Sequence, residues 1–318
     1  MSFDGRVGHF EDIDWPWANA GGVVKSIEDV EVMANTSVGW VEAGSYTLEP
    51  RLGNAWNEET QQADKIVYHH NSETGETGNS LGMPNKGMDI VEKEIPVMTR
   101  IANNAGSKLV VNVAPVSEKP LEESVELVRR AYEAGAHSVI LNAGCPNVVT
   151  PGGGRHELLS RNKEAFTNVL AGLAAAALPK PIWVRISPQE TYASGRGIFK
   201  AMIYSGIVSA VLTPNTWPGF KPVDEAGTTV LNVAGNVGGK SGPATTAQSR
   251  LQTVWARYAL RGSKIDVISS SGIMNGEELA IRLRLGAVAG AGSTFYYEAQ
   301  EPWQIATRRL LNQLSNHL

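Results

Sequence analysis

Between residues 141 and 147 the chain reads Leu-Asn-Ala-Gly-Cys-Pro-Asn, and this segment holds its only cysteine, Cys145. Asn142 stands where an apolar run ends, Gly144 permits a tight turn and Pro146 stiffens the chain beyond it. A thiolate held this way can act as nucleophile or base. The competing reading is that free cysteine is commonly a small buried hydrophobe; two flanking asparagines at a strand terminus favour the chemical one. Asparagine recurs in Asn79-Ser-Leu-Gly-Met-Pro-Asn85 and in Thr213-Pro-Asn-Thr216. Each side-chain amide offers two donors and two acceptor lone pairs without charge. Asn79, Asn142, Asn147 and Asn215 converging would suit a small planar ligand with alternating N–H and C=O edges, such as a pyrimidine-like ring. Singly, each reads as a turn residue.

A second group of segments has the chemistry of an anion site: Gly238-Gly-Lys-Ser-Gly242, Ser269-Ser-Ser-Gly272 and Gly290-Ala-Gly-Ser293. Glycine-rich turns that lead into helices present backbone N–H groups. The Gly-Gly-Lys-Ser stretch lacks the spacing of a nucleoside-triphosphate loop. Arg185, within Trp183-Val-Arg-Ile-Ser187, is a permanent cation inside an apolar run. Pointing into an active-site mouth it would stabilise negative charge on a cofactor; the competing reading is an ion pair that structures the strands. His69 and His70 adjoin, so their side chains diverge, and His9, His137, His156 and His317 are isolated. No nucleophile elbow, zinc-protease helix or dinucleotide fingerprint is present. With one cysteine, neither a disulfide framework nor a thiolate-held metal is expected in the chain.

These groups need a scaffold. Apolar runs occur near Trp17 to Gly21, Gly39 to Glu42, Leu109 to Val113, Ser138 to Leu141, Ile182 to Ile186, Ser209 to Leu212, Ile265 to Ser269 and Ala287 to Gly290. They are continuous rather than alternating, as strands buried on both faces are. Helical patterns lie between them, over Leu121 to Ala134, Lys163 to Leu178, Thr246 to Leu260, Asn275 to Leu285 and Trp303 to Leu318. In the first, Val125, Val128, Ala131 and Tyr132 form a stripe opposite Glu122, Glu123, Arg129 and Glu133. Eight strand–helix units predict a (β/α)8 TIM barrel, with a doubly wound open sheet as competitor. Residues 43–105 and 213–246 exceed the loop lengths that a barrel needs, so extended loops are expected at the C-terminal face of the strands, where active sites form. No linker divides the chain, which predicts a single domain over 1–318.

Composition excludes other classes. Of the 318 residues 42% are hydrophobic and 19% charged, enough for a full core. The net charge of −4 carries no basic stripe, so nucleic-acid binding is not expected. The strongest apolar run, Val169 to Leu178, is half a membrane span. The start, Met1-Ser-Phe-Asp-Gly-Arg, is no signal peptide. A cytoplasmic protein is expected. The 33 glycines suit an enzyme that brings backbone close to a ligand.

In order and spacing, a set of blocks resembles the dihydroorotate dehydrogenase family of flavoprotein barrels. They are Asn19-Ala-Gly-Gly22, Thr47-Leu-Glu-Pro-Arg-Leu-Gly-Asn54, Asn79-Ser-Leu-Gly-Met-Pro-Asn85, Asn142-Ala-Gly-Cys-Pro-Asn147, Val184-Arg-Ile-Ser-Pro188, Gly238-Gly-Lys-Ser-Gly-Pro243 and Gly292-Ser-Thr294. Cysteine in Cys-Pro-Asn looks like the soluble class, nearest the fumarate-using type; the membrane-attached class has serine there. The resemblance implies FMN held by Ala20, Gly21, Gly44, Ser45, Asn112, Asn142, Arg185, Gly239, Ser271, Gly272, Gly292 and Ser293, with the phosphate near Gly272, Gly292 and Ser293. It implies a dihydropyrimidine gripped by Asn79, Leu81, Gly82, Met83, Asn142, Asn147, Asn215 and Thr216. Cys145 would take the C5 proton while C6 delivers hydride to flavin N5, giving orotate for pyrimidine biosynthesis. Fumarate as acceptor and a homodimer are further implications; an NAD-coupled form would need a separate iron–sulfur partner. Gly44 stands where the soluble class carries lysine, Arg185 replaces a strand-five lysine, and Lys25 lies near a lysine of the membrane-attached class. These departures leave two alternatives: a relative acting on another dihydropyrimidine or unsaturated ring, or a ligand-binding barrel without turnover.

Overall fold

In the computed structural model, which describes residues 3–148 and 157–318, a closed parallel barrel carries the chain. Its strands are β1 (Trp17–Asn19), β2 (Trp40–Tyr46), β3 (Lys108–Val113), β4 (Ser138–Asn142), β5 (Ile182–Arg185), β6 (Val208–Thr213), β7 (Asp266–Ser270) and β8 (Ala289–Gly292). Each pairs with its neighbours in sequence, and Trp17–Asn19 against Gly290–Gly292 closes the ring. The helices that succeed them in turn are α1 (Ile27–Ala34), α2 (Met88–Asn104), α3 (Pro120–Glu133), α4 (Lys163–Ala175), α5 (Tyr192–Ser205), α6 (Thr246–Ala259), α7 (Gly276–Arg284) and α8 (Trp303–Ser315). The open-sheet competitor is excluded. His156 lies outside the described residues.

The continuous apolar runs have a direct explanation. Successive strand residues face opposite sides, and here both sides are dry. Trp40, Val110, Ile140, Trp183, Leu212 and Ile268 fill the barrel interior, while their neighbours Val41, Val111, Val139, Val184, Val211 and Val267 face the helices. Val7, Phe10 and Ile13 join the interior cluster and close its floor, with the Phe10 and Trp183 rings 5.2 Å apart.

Four expectations change. The stretch 43–105 is not one long loop: β2 continues to Tyr46, and α2 buries Met88, Val91, Ile95, Met98 and Ala102. Those spacings of three and four are helical, but Pro96 lies inside the helix and removes a hydrogen-bond donor; packing of the apolar face overrides that cost. The sequence patterns likewise do not announce helices α1 and α5. Strand β8 lies two residues later than the apolar run, which places Gly292 at its end. Gly238–Ser241 is not an anion-binding turn but a strand of an outer antiparallel sheet with Trp217–Phe220, Glu76–Asn79 and Tyr68–Asn71. In α3, Glu123 faces inward, where its carboxylate accepts from the N–H groups of Val116 and Ser117 at 2.8 and 2.7 Å.

Candidate active site

At the C-terminal ends of the barrel strands a cleft of about 990 Å³ opens to solvent. Strand termini deliver its polar lining: Ala20 and Gly21 after β1, Ser45 on β2, Asn142 on β4, Arg185 on β5, Asn215 after β6, Ser270 to Gly272 at β7 and Gly292 to Thr294 at β8. The segment after β4 turns sharply against β5. A Cβ on Gly144 would lie 2.2 Å from the Ser187 amide nitrogen, so glycine lets the turn approach and carry Cys145 over the opening.

The four asparagines do come together, in two pairs. Asn142 donates to Ser45 Oγ at 3.0 Å and accepts from Asn215 Nδ2 at 3.3 Å. Asn147 donates to Asn79 Oδ1 at 2.8 Å, and Asn79 donates to the Gly239 carbonyl at 3.3 Å. The buried Asn147 Oδ1 and Thr216 Oγ1 have no partner among the described residues. Buried polar atoms in a cleft wall without protein partners are what a hydrogen-bonding ligand satisfies. Leu81, Gly82 and Met83 complete this side.

Cys145 is partly exposed and packs against Met83, Ala114 and Val148. Burial pushes its thiol up; the Asn147 backbone N–H and the charges of Lys25, Arg51 and Arg185 oppose that. Lys25 donates from Nζ to the Pro84 carbonyl at 2.8 Å, and burial brings its ammonium down to about 8. The surroundings of the thiol are therefore cationic, which suits an anionic substrate.

Arg185 forms the ion pair of one reading and also reaches the cleft wall, as the other requires. Its guanidinium lines the cleft and also grips Glu42 with two parallel bonds of 2.6 Å, both residues buried. Glu42 also accepts from Asn112 Nδ2 at 2.5 Å. The bare backbone of Gly21 lies over this cluster: a Cβ there would come within 2.7 Å of Arg185 Nη1, 2.8 Å of Glu42 Oε1 and 2.9 Å of Asn112 Nδ2. Ser271 (φ 64°) and Gly272 (φ 75°) are consecutive positive-φ residues in the turn after β7, which lines the cleft.

Of the residues expected at the site, Gly44, Asn112 and Gly239 do not line the cleft. Asn112 donates its Nδ2 to Glu42 while its buried Oδ1 has no partner among the described residues, Gly239 pairs with Asn79 in the outer sheet, and Gly44 lies behind Ser45 in β2, joined to it by a cis peptide. All the others line it. Sequence reasoning missed Glu42, Tyr68 and Tyr297. A carboxylate ending an apolar run is the same signal that singles out Arg185, so Glu42 was findable. Tyr68 and Tyr297 were not: the outer sheet and the segment after β8 bring their rings to 5.1 Å, and nothing local announces that.

The fold and site are those of a (β/α)8 barrel with a thiol, paired asparagines and glycine turns at its strand ends. The family model for dihydroorotate dehydrogenase matches residues 10–315. The chain belongs to the dihydroorotate dehydrogenase family, and is an FMN-dependent oxidoreductase of CH–CH donors. Among its relatives, the dihydroorotate dehydrogenase (quinone) of Neisseria meningitidis serogroup B is 25% identical over 284 residues, 87% of this chain and 78% of the relative. The enzyme of that name from Roseiflexus castenholzii is 25% identical over 277 residues, 86% and 69% of the two chains. The fold is shared with DHODH from Eimeria tenella in complex with ferulenol, at TM-score 0.74 and 20% identity, covering 99% of this chain and 82% of that one. The ligand-free Eimeria tenella structure gives TM-score 0.73 at 20% identity, covering 95% and 83%.

The residues present fit FMN. The glycine backbone over Arg185, the left-handed pair at Ser271 and Gly272, and the cleft volume leave room and donors for a ring bearing a phosphate. No described helix is long and apolar enough to cross a membrane.

Proposed function

We propose that this protein oxidises dihydroorotate to orotate, with Cys145 as the base that removes the C5 proton. The observation that carries the reading is the thiol's position between the two asparagine pairs and three cations. Bound FMN supplies the two-electron acceptor for hydride from C6. The asparagine amides, with their unpartnered Asn147 Oδ1, match the alternating N–H and C=O edge of the ring. Lys25 at the cleft wall offsets the substrate's carboxylate charge. The chain acts as one FMN-binding domain over 1–318, in the cytoplasm and as a homodimer, with fumarate as acceptor; the Cys-Pro-Asn and Asn-Ser-Leu-Gly-Met-Pro-Asn wording of the soluble class supports this. Because the named relatives are quinone enzymes, turnover is to be measured with fumarate and a soluble quinone side by side; faster turnover with quinone would replace fumarate.

Anaerobic mixing with dihydroorotate should bleach the flavin. A flavin that dithionite bleaches but dihydroorotate does not would overturn the substrate. The pH dependence comes from the thiol. A base works in its deprotonated form, and burial raises Cys145 above the ordinary thiol range, so the thiolate is scarce at neutral pH. The bleaching rate should rise about tenfold per pH unit and still be climbing past about 8.5, the ordinary thiol value. A flat profile would exclude this base. Asn147→Ala should weaken orotate binding by roughly tenfold, one lost hydrogen-bond partner, while FMN is retained. Equal loss of both, read from flavin absorbance and release, would make the loop structural instead.

A further inference from the structure

Arg282, on α7, has no exposed surface, and nothing in its local sequence singles it out. Its guanidinium is committed on every side. Nε donates to Glu278 Oε1 at 2.5 Å, Nη1 to Ser269 Oγ at 2.8 Å, and Nη2 to the carbonyls of Ser271 at 3.2 Å and Thr246 at 3.3 Å. Glu278 is shared with Arg250, which binds the same carboxylate from α6. Three of the four acceptors on Arg282 thus belong to the end of β7, the turn after it or the first residue of α6. That turn is the one whose Ser271 and Gly272 line the cleft.

The Ser271 carbonyl and the Gly272 N–H are one peptide unit. In a trans planar peptide they point in opposite directions. Arg282 holds the carbonyl on the α7 side, so the N–H faces away from α7. The same bond polarises the amide and makes its N–H a stronger donor. Two further contacts fix the turn, from Thr245 Oγ1 to Ser271 Oγ at 2.9 Å and from Thr246 Oγ1 to the Gly272 carbonyl at 3.0 Å. The left-handed Ser271, uncommon for a residue with a side chain, is the conformation this bracing maintains.

We propose that Arg282 is a positioning residue for the phosphate of FMN: it never touches the cofactor, but sets the direction and donor strength of the Ser271–Gly272 peptide that does. The proposal rests on the reading that the phosphate sits at the turns after β7 and β8. It makes a distinction that a merely structural arginine would not. Riboflavin has the same ring and lacks the phosphate, so losing Arg282 should cost FMN affinity and spare riboflavin.

The test is the dissociation constant of the full-length protein for FMN and for riboflavin, by flavin fluorescence, in the wild type, Arg282→Met and Arg282→Lys. The wild type should prefer FMN strongly. Arg282→Met should cut that preference roughly 10- to 100-fold, the range for charge-assisted hydrogen bonds, with riboflavin affinity nearly unchanged. Arg282→Lys, a point charge without the fork, should fall between; it also keeps the test open if the methionine variant does not fold. Equal losses for both ligands in either variant, or an unchanged preference, would overturn the proposal while leaving the phosphate site in place. A wild type that binds riboflavin as tightly as FMN would overturn the phosphate placement itself, and the proposal with it.

Discussion

Replacing Cys145 with alanine should leave FMN bound and slow flavin reduction by dihydroorotate by roughly two orders of magnitude or more. Cys145 packs against the apolar cluster of Met83, Ala114 and Val148, a setting that accepts a methyl group, so the fold should hold. On the proposed mechanism the variant lacks the proton acceptor at C5. The loss should be specific in a second way. If thiolate is the base, the wild-type rate should climb with pH as it accumulates, and in Cys145→Ala that climb should disappear, leaving only the fall expected as Lys25, brought down to about 8 by burial, loses its charge. Anaerobic stopped-flow at several pH values measures both. A variant that reduces its flavin at the wild-type rate would remove Cys145 from the base role.

The second large effect concerns Glu42 and Arg185. Both are buried, and their two 2.6 Å bonds are the main compensation for taking a carboxylate and a guanidinium out of water. Glu42→Ala strands the arginine charge inside the barrel. Removing one partner of such a pair costs about 3–5 kcal/mol, much of it the penalty of the charge left behind. The denaturation midpoint should fall accordingly. Adding Arg185→Met removes the stranded charge, so the double variant should recover part of the loss. A single variant within about 1 kcal/mol of wild type, or a double variant no better than the single, would show the pair is not what holds β2 against β5.

The barrel was legible because its strands are buried on both faces, and a run such as Leu109 to Val113 has no polar side to show. Helices were legible where their apolar stripe is uninterrupted, as in α3 or α7. They were hidden where a proline or small residues broke the pattern: Pro96 in α2, Gly195 and Gly197 in α5. The outer sheet was hidden for a different reason. Its strands are short and polar, so they read as loops, and the pairing that joins its two halves, Asn79 with Gly239, spans 160 residues of sequence.

At the site, the sequence by itself determined which residues could do chemistry: one thiol, four strand-end amides, the glycine turns after β7 and β8, and an arginine in an apolar strand. Each is a matter of residue type and local position, which a chain displays without folding. The partners of those residues were decided only in three dimensions. Glu42 meets Arg185 across 143 residues of sequence, and Arg282 reaches the Ser271 carbonyl because α7 packs back against the end of β7. The physical reason is that charge compensation and desolvation belong to pairs and their surroundings. An arginine's type gives its charge, and only its neighbours decide whether that charge faces a ligand, a carboxylate or the back of a peptide.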